Sequence, residues 1–168
     1  MRLERPSRTY EQSWRDALLE FANERVTGFW NYPFPPADID EYIGRDSDNS
    51  VGKNLPDGWV PATTFWLIDH DSFIGHVQIR HTLNERLKEH GGHIGYAIRP
   101  AERLKGYGSK ILELALPEAK KIGIRMALIM CDDSNAGSAR IIEKNGGVLK
   151  DKAEFEGRTI RKYLIEIR

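Results

Sequence analysis

Apolar residues recur at helical spacing near the start of the chain, at Trp14, Ala17, Leu18 and Phe21, and predict an amphipathic helix. Thr9 and Gln12 have the spacing of a capping box that would begin it, and Gly28 is placed to end the region. The next segment, Phe29-Trp30-Asn31-Tyr32-Pro33-Phe34-Pro35-Pro36, holds three prolines, which disfavour a regular helix or a central strand. A short helix is expected over about 38–43, and the polar run 46–50 reads as a loop.

The middle of the chain changes period. Residues 63–68 are β-branched and aromatic and predict a strand. A turn at 69–72 leads to a second strand over 73–80, and the two should form a hairpin. Residues 82–92 read as a polar insertion with one helical turn around Leu83 and Leu87. Residues 93–99 predict another strand, stopped by Pro100. Ile111, Leu112, Ala115, Ala119 and Ile122 form the apolar stripe of a helix over about 108–122, with Gly123 as its cap. Pro117 inside it removes one backbone bond and should kink it. The run 124–131 is nearly all apolar, as in a strand buried on both faces. A helix over 136–145 and two strands around Glu156-Gly157 complete the chain. Strand, helix and strand across 93–131 make a βαβ unit, so its strands should be parallel with a right-handed crossover. The reading is α/β, one domain over residues 1–168, with a mixed, mostly antiparallel twisted sheet.

Composition adds limits rather than detail. The 168 residues carry 25 basic and 25 acidic side chains. Zero net charge argues against nucleic acid as the main partner. Cys131 is the only cysteine, so no intrachain disulfide forms, and a cytoplasmic location is expected. Neither a signal peptide nor a membrane span is expected. Among His70, His76, His81 and His90 no spacing compels a metal site. Asp132-Asp133 reads as loop polarity rather than a cation site.

The chemistry concentrates in Arg103-Leu104-Lys105-Gly106-Tyr107-Gly108-Ser109, between a strand and a helix. Its two glycines permit a tight turn and close approach of a bulky anion. The first amides of the helix lack intrahelical partners and lie at the positive end of its dipole, as a phosphate site requires. A dinucleotide fingerprint needs a third glycine where Ile111 stands, and a Walker loop needs a different glycine spacing. A helix start with no ligand is the rival reading of these residues taken alone.

The pattern Arg-x-x-Gly-x-Gly resembles the pyrophosphate loop of the GNAT acetyltransferases. The strand Gly92 to Pro100 before it, the helix ending in Lys120-Lys121-Ile122-Gly123, and Asn135-Ala136-Gly137-Ser138 followed by Asn145-Gly146-Gly147 agree with that family in order and spacing. The resemblance is firmest over 92–147. It implies a GNAT-like domain in which the strands 93–99 and 124–131 splay apart for CoA. It implies acetyl-CoA as co-substrate and an amine as acceptor; no metal is expected, and a monomer or homodimer is. The loop from Arg103 through Leu104, Lys105, Gly106, Tyr107 and Gly108 to Ser109 would bind the pyrophosphate. Ile98 would offer main-chain bonds to pantetheine, Asn135 and Ser138 would meet the thioester end, and Lys144 either reaches the phosphates or is a solvated lysine.

An alkyl amine with an ordinary pKa of about 10 must lose a proton before it attacks. The family often places a glutamate base early in the strand before the loop. The nearest match here is His93, which a structural hydrogen bond would explain equally well. Many members carry a tyrosine acid four residues after the serine; here that position is Ile142. Ser138, Tyr96 and Tyr163 are the candidate substitutes. The missing tyrosine opens a second reading, a non-catalytic acyl-CoA-binding sensor or regulatory module. The aromatics Phe29, Trp30, Tyr32 and Phe34 are candidate acceptor contacts, with core packing as the alternative.

Overall fold

The computed structural model describes residues 1–24 and 38–168. The readings made for Gly28 and for the segment 29–36 lie outside the described residues.

The chain opens with strand β1 (Arg2–Glu4) and a 3₁₀ turn at Arg8–Tyr10, which lead into helix α1 (Glu11–Asn23). The expected capping box does not form. Ser7 caps the 3₁₀ turn instead, accepting the Thr9 amide at 3.2 Å, while Gln12 bonds Asp16. Trp14, Ala17, Leu18 and Phe21 are buried as their spacing predicted.

Helix α2 runs from Ile39 to Ser50, so the polar run 46–50 is helix and not loop. Its buried positions are Ile39, Tyr42, Asp46 and Asn49, a helical stripe that is half polar. Asp46 is held there by Arg5 at 2.6 Å and by the Thr64 amide at 3.2 Å. A buried carboxylate is tolerated when it is paired and hydrogen-bonded.

Strands β2 (Ala62–Asp69) and β3 (Ser72–Arg80) form the expected hairpin. His70 and Asp71 at its tip both take positive φ, as a two-residue hairpin loop of matching twist requires. Helix α3 (Glu85–Glu89) is the single turn of the polar insertion, and strand β4 (Ile94–Ile98) follows. After a 3₁₀ turn at Pro100–Glu102 comes helix α4 (Tyr107–Lys121), which continues through Pro117. Strand β5 (Met126–Asp132), helix α5 (Ala136–Lys144) and strands β6 (Val148–Phe155) and β7 (Arg158–Glu166) complete the order.

The strands make two antiparallel sheets, β1-β2-β3-β4 and β5-β7-β6. Strands β4 and β5, on either side of α4, therefore lie in different sheets, as a splay requires. No parallel ladder joins them. They meet at one end only, through a bridge between Gly92 and Ile129 and the His93 amide donating to the Leu128 carbonyl at 2.7 Å. Gly92 allows that approach, since a Cβ there would stand 2.4 Å from the Leu128 carbonyl oxygen. Strand β5 is not buried on both faces. Ala127, Ile129 and Cys131 are buried while Met126 is exposed and Leu128 and Met130 are half-buried. Only one of its faces lies under α4 and α5, and the other carries its apolar side chains half-buried or exposed.

One core lies beneath α4 and α5, with Ile111, Leu112, Ala115 and Ile142 against Val77, Ile79 and Ile129. The other lies beneath α1 and α2, where Trp14, Tyr42, Trp66 and Phe73 pack ring against ring. No helix among the described residues is long and apolar enough to cross a membrane.

Candidate active site

Two local features converge at the separated edges of β4 and β5. The first is the N-terminus of α4. Gly106 is its N-cap at φ 87° and contributes no side-chain cap. The first intrahelical bond runs from the Lys110 amide to the Gly106 carbonyl, which leaves the amides of Tyr107, Gly108 and Ser109 without intrahelical acceptors. A Cβ built on Gly106 would meet no atom within 4 Å, so the space over the loop is open. Gly108 differs. A Cβ there would stand 2.5 Å from Ile141 Cδ1 on α5. Gly106 gives an anion access, and Gly108 lets α4 pack on α5.

Most side chains of the loop are engaged with other residues of the protein. Arg103 Nε donates to the Ile98 carbonyl at 3.1 Å and its guanidinium pairs with Glu24 at 2.8 Å. Arg99 pairs with Glu20 at 2.7 Å, and the Ala101 amide donates to the same carboxylate. The end of α1 thus clamps 99–103. Lys105 pairs with Glu102, and Leu104, at φ 63°, projects fully into solvent. Tyr107 donates to Asp69 Oδ2 at 2.8 Å, a bond that raises the phenol's pKa and lowers that of the carboxylate. Asn145 binds the Ser109 carbonyl and hydroxyl and the Ile141 carbonyl, joining α5 to the first turn of α4. The anion-binding capacity therefore lies in the main chain.

The second feature is the free edge of β4. The Arg80 amide donates to His93 O and the Arg99 amide to Ile74 O. Antiparallel alternation then turns the peptide groups of Ile94, Tyr96 and Ile98 away from β3, toward the gap. Ile98 is among them, with Arg103 already on its carbonyl. Tyr96 and Ser138 meet across this gap, hydroxyl to hydroxyl at 2.8 Å. Burial pushes the Tyr96 phenol up to about 12, against the lowering effect of the Ser138 bond. Asn135 caps α5 by accepting the Ser138 amide at 2.9 Å, which fixes where that serine stands.

His93 closes the far end of the gap. Its Nδ1 accepts the Leu128 amide at 2.9 Å while its own amide holds Leu128 O. Burial, then the nearby Arg80, lower its pKa. The neutral ring carries its proton on Nε2, and the lone pair that a base would use is already bonded. Through these two bonds His93 ties β4 to β5.

Ile142 is fully buried in the core, so nothing at that position reaches the gap. Tyr163 is buried and donates to Glu143 at 2.9 Å. Burial pushes the Cys131 thiol up to about 11. Lys144 is exposed in the last turn of α5. Asp133 pairs with Lys152 and Arg161, and Asp132 with Arg158. Among the described residues no group of three or more His, Cys, Asp or Glu could hold a metal. The sequence reading missed Glu20, Glu24, Asp69 and Leu128, whose roles depend on partners far along the chain.

An open helix N-terminus beside a separated strand edge, with a hydroxyl pair between them, suits a phosphate-bearing thioester. A family model described as Acetyltransferase (GNAT) domain matches residues 8–148. The chain belongs to the GNAT acetyltransferase family. It is thus an acyltransferase, and the open amides at Tyr107 to Ser109 and the free edge at Ile98 fit CoA. Solved structures of similar fold include a ribosomal L7/L12 alpha-N-protein acetyltransferase, RimL, in complex with coenzyme A. It is 17% identical, with 98% of this chain and 93% of that chain covered and a TM-score of 0.68. The microcin C7 self-immunity acetyltransferase MccE, bound to acetyl-CoA and AMP, is 18% identical over 98% and 91% of the two chains, with a TM-score of 0.69. A spermidine N-acetyltransferase, SpeG, from Vibrio cholerae is 16% identical over 99% and 95%, with a TM-score of 0.66. No curated protein matches the sequence closely enough to count as a relative.

Proposed function

We propose that the protein transfers an acetyl group from acetyl-CoA to a primary amine by direct attack within a ternary complex. The observation that supports this most is the placement of the Tyr96–Ser138 hydroxyl pair in the gap that begins at the α4 N-terminus. Acetyl-CoA supplies the activated acyl carbonyl. The amides of Tyr107, Gly108 and Ser109 hold its pyrophosphate, and the peptide edge at Ile98 holds the pantetheine.

The pKa of Tyr96 decides what the pair does. A phenol at about 12 stays protonated in any working range. Passing that proton to a thiolate of ordinary pKa, about 8.5, is uphill by roughly 5 kcal/mol. The pair therefore stabilises the leaving sulfur by hydrogen bonding and does not protonate it outright. Because the Nδ1 lone pair of His93 is occupied, the amine's proton passes to water.

The domain comprises residues 1–168 and works in the cytoplasm as a monomer or homodimer. The test is thiol release from acetyl-CoA with a wide amine panel. Saturable, amine-dependent release supports transfer. The buried Ile142 favours a second reading, an acyl-CoA sensor without turnover, which predicts tight acetyl-CoA binding and no release with any amine.

A further inference from the structure

The α1–α2 face of the first sheet carries a row of polar side chains, His76, Gln78 and Arg80. Phe21 of α1 packs on His76, with ring centroids 6.5 Å apart, which identifies the face. Alternation along β3 places Gln78 and Arg80 on the same face as His76. Opposite them on β4 stand Gly95, beside Gln78, and His93, beside Arg80. The row thus runs to the open edge of β4.

Gln78 is 9% exposed and its amide has no hydrogen-bond partner among the described residues. Its amide atoms still reach solvent, so a ligand's polar groups can take the place of the water they now bind. Arg80 is half-buried. Its Nη1 donates to the carbonyls of Gly91 and Gly92 at 3.3 and 3.1 Å. A guanidinium has five donors, and Nε and Nη2 have no acceptor among the described residues. Arg80 forms no ion pair with any described carboxylate. Residues 25–37 contain neither Asp nor Glu, so they supply no acid either. Burial lowers the Arg80 pKa with no acidic group offsetting it. Most arginines elsewhere in the chain, including Arg5, Arg8, Arg15, Arg99, Arg103 and Arg161, are paired with a carboxylate.

We propose that the acceptor amine carries a carboxylate, which Arg80 grips with its free donors while Gln78 holds the adjoining polar group, so that amino acids and short peptides with a free carboxylate are the substrate class. This rests on the acetyl-transfer reading. The guanidinium fork matches a carboxylate in a bidentate manner. Gly95, with no side chain between Gln78 and the edge, leaves the acceptor's amine a path to the gap where Tyr96 and Ser138 meet.

The experiment measures thiol release from acetyl-CoA with L-amino acids and glycine-containing dipeptides, each beside its carboxamide. The carboxylate form should have at least a tenfold higher kcat/KM than its amide. Arg80→Gln should bring that ratio near one, with acetyl-CoA affinity unchanged. Gln78→Leu leaves the Gly91 and Gly92 carbonyls bonded and should lower kcat/KM for the carboxylate form several-fold, which keeps the test open if Arg80→Gln folds poorly. Equal or better use of the amides, or activity confined to amines without a carboxylate, overturns the inference and leaves acetyl transfer standing. No thiol release with any amine takes down both.

Discussion

Gly106 and Gly108 stand one residue apart and do different work, which substitution by alanine separates. In Gly108→Ala the new Cβ would lie 2.5 Å from Ile141 Cδ1, with the next contact at 3.4 Å. Alanine gains about 1 kcal/mol of helix propensity over glycine. Overpacking of this kind costs about 1–3 kcal/mol, so the net loss should be about 1 kcal/mol. Ile141→Val deletes the offending methyl and by itself costs about 0.5–1 kcal/mol, since Ile141 is only half-buried. The double variant should be more stable than the sum of the single losses by about 1 kcal/mol. Gly106→Ala meets no atom within 4 Å but must hold φ at 87°. A left-handed alanine costs about 1–2 kcal/mol, and its methyl enters the open side of the loop. Urea unfolding gives the stabilities and calorimetric titration the acetyl-CoA affinities. Acetyl-CoA should bind Gly108→Ala within about twofold of the parent and Gly106→Ala at least about tenfold more weakly, a 1.4 kcal/mol difference. Equal weakening in both variants, or no coupling between Gly108 and Ile141, would refute the division of labour.

Three further outcomes follow from the same geometry. Tyr96→Phe, which leaves Ser138 alone in the gap, should lower kcat by about 10–100-fold with little change in acetyl-CoA affinity, and unchanged kcat removes the hydroxyl pair from the chemistry. His93→Ala strips the Leu128 amide of its acceptor and should cost about 1–3 kcal/mol in urea unfolding, while the pH–rate profile keeps its shape; a profile that loses a limb near neutrality would restore His93 as the base. Burial lowers the His76 pKa to about 4 from the usual 6.5. The unfolded chain then binds the proton more readily, so stability is complete above pH 6.5 and falls as the pH drops toward 4. At pH 5 the loss from this group is about 2 kcal/mol, and His76→Leu should remove that part of the slope.

What could be read from the chain was what neighbours along it determine. Arg103 to Ser109 announced a strand-to-helix turn because glycine spacing and the stripe from Ile111 to Ala119 are local signals. The extent of α2 was hidden because two of its four buried positions are Asp46 and Asn49, and polarity reads as loop until Arg5 and Thr64 are seen to meet Asp46. The bond that His93 Nδ1 accepts was not legible because its partner, Leu128, lies 35 residues away. The ion pair of Arg103 was not legible because nothing local reveals Glu24, 79 residues earlier in the chain. Tyr96 and Ser138 were both named for the acid role, yet only the fold, 42 residues apart in sequence, brings them to 2.8 Å.

Thermal unfolding with acetyl-CoA, beside ATP and NAD, tests the central claim most directly. A ligand at 100 times its Kd that binds only the folded state adds about 2.7 kcal/mol, or about 5–10 °C in Tm for a chain of this size. The site formed by the α4 N-terminus and the β4 edge predicts that shift with acetyl-CoA, its fall to about half or less in Gly106→Ala at the same concentration, and little shift with the two nucleotides. No shift with acetyl-CoA, or an equal one with ATP, would contradict it.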